Sequence, residues 1–349
     1  MKALYLKRAG DQPQVEIREV PKPTIGFRHA LVKVTACGFC HHDRAVMAGV
    51  LRRGVAANVI LGHEISGVVE EIGGGVTGLK QGDHVVSILT EACGECDRCA
   101  DGHEHRCRQG LGIGHGRDGG FAEFVTLSEH CLVKIPKDID LAGASLLACP
   151  MGVSLQAVRE VAQTGSGRTI VVTGAGGGLG AHAVQAAAAM GATVLAISSS
   201  PGKINLIQEL GATAILAAEM PDDDGLDFAE LVMAMTDNEG ASAVIDTVGS
   251  ALFPSTFRCL AQYGKLVLLG EIRGLSVTLN PAEIIFRDAQ VLGTSGVSRA
   301  TVELTGQMVQ KGQIRPVVDV QLPLEQAVEA YHMVSNRTPM GRVLLLPDG

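Results

Sequence analysis

Two different rhythms of apolar and polar residues divide the chain near residue 150. Before it, short alternating runs such as "HALVKVTACG", "EISGVVEEIG", "DHVVSIL" and "FAEFVTL" are separated by Gly and Pro. They predict an irregular, mostly antiparallel β domain over residues 1–150. After it, "RTIVVTGAGGGLGAHAVQAAAAMGATVLAISSS" reads as a buried strand, a glycine turn, an Ala-rich helix and a second buried strand, one βαβ unit of a parallel sheet. The alternation continues with "PGKINLIQELGA" as helix, "AVIDTVG" as strand, "LFPSTFRCLAQYG" as helix and "KLVLLGE" as strand. Towards the end, "ATVELTGQMVQKGQI" and "LEQAVEAYHMVSN" have the spacing of amphipathic helices, and "GRVLLLP" is a final strand. The pattern predicts an α/β chain: a doubly wound parallel sheet over 151–288, inserted into the β-rich domain, with 289–349 returning to that first domain.

Composition sharpens this picture. Apolar residues make up 46% of the 349 positions but aromatics only 3%, so the core must be built from Ala, Val, Leu and Ile. The 44 glycines imply many tight turns or close backbone approaches. The net charge of −8 comes without a basic block, which argues against nucleic acid and anionic membranes as partners. No apolar run approaches the roughly 18 residues of a membrane span, and the first residues turn polar too soon for a targeting segment. A cytoplasmic protein is expected, with its nine cysteines reduced and clustered cysteines more apt to bind metal than to pair.

In "VVTGAGGGLGAHAV" an apolar strand runs into Gly174, Gly176, Gly177, Gly178, Leu179 and Gly180, and then into a helix. A sharp turn, bare backbone beside a pyrophosphate and a helix N-terminus aimed at its charge are what a dinucleotide needs. In the usual register Ala175 takes the first glycine position, with Gly177 and Gly180 in the other two. An Asp or Glu at the end of the second strand would bind the adenosine 2′-hydroxyl of NAD. Here that place reads "AISSSPGK", with Ser198, Ser199 and Lys203. No carboxylate repels a 2′-phosphate, and hydroxyls with an ammonium suit one, so NADP(H) is favoured over NAD(H).

Cys93, Cys96, Cys99 and Cys107 offer four soft thiolates at short spacing, suited to a tetrahedral zinc. Four sulfur ligands leave no open position, so such a site is structural and ties down a loop of about 91–109. His103 and His105 read as exposed residues inside it, with replacement of one cysteine by either as the alternative. A catalytic metal needs a different set with one vacancy, for which Cys40, His63 with Glu64, and Cys149 are candidates.

These motifs, with "CHHD", "GHEISGVVEEIG", "GDHVV" and "VIDTVG" in order, resemble the zinc-containing medium-chain alcohol dehydrogenase family over essentially the whole chain. The resemblance implies a GroES-like outer domain, a Rossmann inner domain, an active site in the cleft between them, and a homodimer or homotetramer acting on a small molecule. By the same resemblance Cys40 and His63 are catalytic zinc ligands, Glu64 is an acid that can approach the metal, and Asp43 orients the ligand histidine. His42 stands at the relay position usually held by Ser or Thr, where it either accepts the alcohol proton or shapes the pocket. Cys149 falls one residue earlier than the family's third ligand, and Arg342 matches a position near the cofactor pyrophosphate.

The implied reaction is hydride transfer between NAD(P)(H) and an alcohol or carbonyl, with zinc as Lewis acid. The glycine turn, the "SSSP-x-K" strand end and the "LLACPMGV" spacing also resemble the quinone oxidoreductase and acryloyl-CoA reductase branch, which implies reduction of an activated C=C bond instead. A non-catalytic NADPH-binding protein is the third reading. The complete ligand set argues against it.

Overall fold

In the computed structural model, which describes residues 1–217 and 227–348, the two rhythms become two compact units. One comprises Met1–Gly152 and Gly296–Gly349, and the other Val153–Ser295. No helix among the described residues is long and apolar enough to cross a membrane.

The first unit is built on a seven-stranded sheet. Its order is Val318–Pro323, Arg342–Leu346, His29–Phe39, Glu64–Ile72, His84–Ser87 and Leu132–Lys134, with Phe124–Ser128 also pairing to His29–Phe39. All pairings are antiparallel except that between Val318–Pro323 and Arg342–Leu346. The strand His29–Phe39 shows why this chain pairs as it does. Val32, Val34 and Ala36 are buried while Lys33 and Thr35 are exposed, the alternation of a half-buried strand. From Ala36 to Phe39 burial becomes continuous, because here the strand is flanked on both faces. The register sets Gly38 opposite Glu64 on one side and Leu344 on the other, so residues near 40, 63 and 342 are brought to one end of the sheet.

The second unit holds six parallel strands in the order Thr213–Leu216, Thr193–Ser198, Thr169–Val172, Ala241–Asp246, Leu260–Leu268 and Gln290–Gly293. The order reverses between Thr169–Val172 and Ala241–Asp246, the switch point at which such sheets bind ligands beyond their carboxyl ends. The Ala-rich helix Gly178–Ala189 buries Ala181, Ala183, Val184, Ala186 and Ala187, so small side chains let it approach the sheet closely. The core of this unit recruits Phe228, Phe253 and Phe257 around Val171, Val244 and Leu266.

The parallel strand Gln290–Gly293 belongs to the second unit, whereas the residue pattern put the boundary at 288. It is an edge strand with three of four residues exposed, so it lacks the apolar run that marks its neighbours. The segment "LFPSTFRCLAQYG" is helical only over Phe253–Arg258, and Leu260 already starts the next strand.

Candidate active site, metal centres and cofactor turn

The four clustered cysteines converge. Their sulfurs stand 3.5 Å apart for Cys96–Cys99 and Cys93–Cys107, 3.9 Å for Cys96–Cys107 and 4.0 Å for Cys93–Cys99. A tetrahedron of Zn–S bonds puts sulfurs about 3.8 Å apart, whereas a disulfide needs about 2.05 Å. The short helices Asp97–Ala100 and Glu104–Arg106 bury no residue. The lobe therefore has no apolar core, and the donor set fits a metal that serves as one. Gly94 and Gly102 adopt positive φ, +79° and +75°, where the backbone doubles back around the sulfurs. His103 is exposed, but His105 is half-buried with Nδ1 enclosed and unpartnered.

The lobe joins the sheet through the two-stranded pair Thr90–Glu91 and Leu111–Gly112. Glu91 is the anchor of that join. Its carboxylate meets Arg117 Nη1 at 2.5 Å and His29 Nε2 at 3.0 Å, and accepts from the Cys131 thiol at 3.2 Å and the Ser128 N–H at 3.2 Å.

A second cluster forms at the end of the large sheet. One donor atom each from Cys40, His63, Glu64 and Cys149 lies within 4.8 Å of the others, and all four residues are buried. Cys40 caps the helix His41–Met47 where it leaves the strand His29–Phe39. Asp43, fully buried, accepts from the Cys40 N–H at 2.9 Å and the Gly62 N–H at 3.2 Å, which ties the two metal-facing segments together. Its Oδ1 lies 3.6 Å from His63 Nδ1, leaving Nε2 on the side of Glu64, 3.9 Å away. Gly38 has to be glycine, since a Cβ there would lie 1.9 Å from Glu64 Oε2.

Cys149 Sγ lies 4.0 Å from Cys40 Sγ. It sits in the wide turn Leu147–Gly152, where the Met151 N–H reaches back five residues to the Leu146 carbonyl. A turn of that width carries one residue more than an α-turn, which accommodates a cysteine placed one residue early. Arg342 lies in the same cluster, on the strand Arg342–Leu346. It is 6% exposed, and its Nη2 lies 3.0 Å from Glu64 Oε1.

The electrostatics suit a metal. Burial pushes the Glu64 carboxyl up to about 7, against the pull of Arg342. A hydrogen bond from Cys149 draws the Cys40 thiol well down, helped by Arg342 and His63 and opposed by burial. Both Glu64 oxygens are enclosed, and Arg342 pairs with Oε1 by charge without hydrogen-bond geometry. Two soft thiols, an imidazole with its far nitrogen facing a carboxylate, and a buried acid make a donor set that fits zinc.

Beside this cluster His42 meets the His63 ring edge-on, with centroids 5.3 Å apart, and His115 lies 4.7 Å beyond His42. Residue spacing passes over His115. The sign of it is a histidine set among glycines in "GIGHGRDGG", a segment with no apolar pattern to occupy it.

In the second unit the strand Thr169–Val172 ends at Gly174, with φ of +59°, and Gly177 caps the helix Gly178–Ala189. A Cβ on Gly180 would lie 2.1 Å from the Gly174 carbonyl, so only glycine lets helix and turn pack this closely. Leu179 is half-buried in the first turn of that helix. The aliphatic stem of Lys203 lies over Gly176, where a Cβ would be 2.5 Å from its Cδ. Lys203 and the glycine turn are thus neighbours. Ser198 is buried at the strand end, its Oγ accepting from the Ser200 N–H at 3.1 Å, while Ser199 is exposed.

Asp246, also passed over, closes the switch point. Its Oδ1 accepts from Thr173 Oγ1 at 2.7 Å and from the Val248 and Gly249 N–H groups at 3.0 Å, so it joins the two central strand ends.

Comparisons with known proteins agree with this geometry. Residues 26–137 match the alcohol dehydrogenase GroES-like domain, and residues 178–311 match the zinc-binding dehydrogenase domain. The chain is 32% identical to an acryloyl-coenzyme A reductase of Sulfurisphaera tokodaii, over 99% of this chain and 100% of that one. It is 31% identical to an NAD-dependent alcohol dehydrogenase of Saccharolobus solfataricus, again over 99% and 100%. The crystal structure of an alcohol dehydrogenase from Aeropyrum pernix superposes with a TM-score of 0.90 at 28% identity, covering 99% of this chain and 100% of that one.

Proposed function

The chain belongs to the zinc-containing alcohol dehydrogenase family of medium-chain dehydrogenases and reductases, and on that footing we propose that it interconverts an alcohol and its carbonyl with NADP(H). The observation that carries this reading is the second cluster, Cys40, His63, Glu64 and Cys149, complete and buried beside Asp43. Cys40, His63 and Cys149 would hold the metal, with Glu64 next to it. A zinc ion bound there supplies a Lewis acid for the substrate oxygen.

The rest of the chemistry falls to the chain. Asp43 fixes the tautomer and tilt of His63 from the far side of the ring. Arg342 compensates the buried Glu64, which would otherwise be an uncompensated charge. His42, whose Nε2 is enclosed without a partner, offers a hydrogen-bonding nitrogen beside the reacting oxygen. In the second unit the N-terminus of Gly178–Ala189 receives the pyrophosphate. Ser199 and Lys203 receive the 2′-phosphate.

That last assignment has a direct consequence. Lys203→Ala is expected to raise KM for NADPH about tenfold, the loss of one charge-assisted hydrogen bond, while leaving KM for NADH within about twofold. Steady-state kinetics with both cofactors checks it, and an equal rise for both would remove Lys203 from the phosphate site.

A second reading has its own support. The wide turn that carries Cys149, together with the likeness to the acryloyl-coenzyme A reductase, favours reduction of an activated C=C bond. The two separate in one assay. NADPH oxidation is followed with simple aldehydes and with acryloyl-coenzyme A, on protein whose zinc has been counted. Aldehyde turnover with two zincs per chain, falling to one in Cys40→Ala, supports the carbonyl reading. Turnover of the thioester alone reverses the order.

A further inference from the structure

The proposed chemistry leaves one polar group beside the metal cluster without a task. The His115 ring lies one ring beyond His42, and its Nδ1 is buried with no hydrogen-bond partner, as is His42 Nε2. An enclosed nitrogen without a hydrogen bond is unfavourable. The chain nevertheless holds this ring firmly. A Cβ on Gly112 would lie 1.7 Å from His115 Cε1 and 2.0 Å from Nε2, so the imidazole is seated over the bare Gly112 backbone. The Gly116 and Arg117 N–H groups both close back on the Gly112 carbonyl, at 2.8 and 3.1 Å. The His115 carbonyl accepts from the Ala56 N–H at 2.7 Å, which fixes the histidine to the loop of residues 48–58. The Ile113 backbone lies within reach of the ring, but Nδ1 meets no group of the chain in hydrogen-bond geometry, and a nitrogen so placed can take a partner from outside the chain.

We propose that His115 is a specificity residue that hydrogen-bonds a second oxygen of the substrate, so that hydroxylated carbonyl compounds are preferred to their alkyl isosteres; this rests on the carbonyl reading above. The order of the rings carries the assignment. His42 adjoins His63 and serves the reacting oxygen, whereas His115, one ring further from the metal cluster, meets a group beyond the reacting carbon. A neutral imidazole offers one donor and one acceptor, and a hydroxyl matches either. A methyl in the same place leaves the nitrogen bare.

Acetaldol and isovaleraldehyde form the test pair, since they differ by a hydroxyl in place of a methyl. The wild-type protein is expected to prefer acetaldol in kcat/KM by about tenfold or more. His115→Phe should bring the ratio within about twofold by lowering acetaldol turnover alone. His115→Asn, which keeps a donor near the Nδ1 position, should retain most of the preference. Gly112→Ala leaves His115 in the sequence but unseats its ring, and should also erode the ratio. A parallel loss on both aldehydes in His115→Phe, or an unchanged ratio, overturns the proposal. The latter is what a solvent molecule bound to Nδ1 would give.

The inert amides β-hydroxybutyramide and isovaleramide, titrated in the presence of NADPH, repeat the comparison as dissociation constants. An amide ratio that depends on His115 supports the assignment even where neither aldehyde is turned over, in which case only the carbonyl reading fails. An amide ratio indifferent to His115 overturns it.

Discussion

His63→Ala is expected to lower kcat/KM by about three orders of magnitude while leaving the fold intact. A Lewis acid at the substrate oxygen contributes several kcal/mol, and each 1.36 kcal/mol is a factor of ten in rate. The Asp43 carboxylate, which faces the cluster through His63 and the Cys40 backbone N–H, belongs on a lower rung. Asp43→Asn should cost about 10–100-fold, the usual effect of loosening a ligand's outer partner. Metal analysis accompanies the kinetics. His63→Ala should retain the zinc held by Cys93, Cys96, Cys99 and Cys107 and lose the other. Wild-type rates without the second metal would mean that the buried cluster is not where the chemistry occurs. A fall in thermal midpoint of more than a few degrees would instead assign His63 a structural role.

The second large effect concerns the lobe. Cys96→Ser is expected to release the metal from the four-cysteine site and open the segment of residues 93–108. Small metal-held motifs owe on the order of 10 kcal/mol to the ion at neutral pH. The helices here bury nothing that would replace it. Loss of even a quarter of that raises the open population about a hundredfold, at about 1.4 kcal/mol per decade. Limited trypsin digestion reads this directly, because Arg98, Arg106 and Arg108 lie within the lobe. Cleavage should accelerate there and leave Val153–Ser295 unaffected. Asp97→Ala is the contrasting variant. It removes an exposed ion pair with Arg108, at 2.6 Å, keeps all three tryptic sites, and should change the cleavage rate little. Equal protection in wild type and Cys96→Ser would show that the lobe stands without its metal.

Much of this molecule was legible from residue order because the information is local. The strand–glycine–helix run before residue 190 reads as a βαβ unit, and Gly177 and Gly180 in it answer to contacts with Gly174 in the same turn. The four cysteines lie within fifteen residues, so any fold of that segment brings them near one another. Alternation in "HALVKVTACG" fixed which side chains face the core. It could not show that burial becomes continuous after Ala36, because that depends on what covers the second face.

What only the tertiary structure decided is the company each distant residue keeps. Cys149 stands a residue early in the chain, and the wide turn Leu147–Gly152 carries its sulfur to 4.0 Å from Cys40. Arg342 is set beside Glu64 by the pairing of Arg342–Leu346 with His29–Phe39, a neighbour no spacing in the chain discloses. His115 carries no motif of its own, and the ring it meets, His42, lies some seventy residues away in the chain, as does Thr173, which donates to Asp246. The sequence by itself determined the two kinds of domain, the four-cysteine lobe and the glycine turn, since each is closed largely by neighbours along the backbone. The buried Cys40, His63, Glu64 and Cys149 cluster, its charge balance and the imidazole of His115 were decided by sheet register and turn width, which act across the chain and leave no spacing to read.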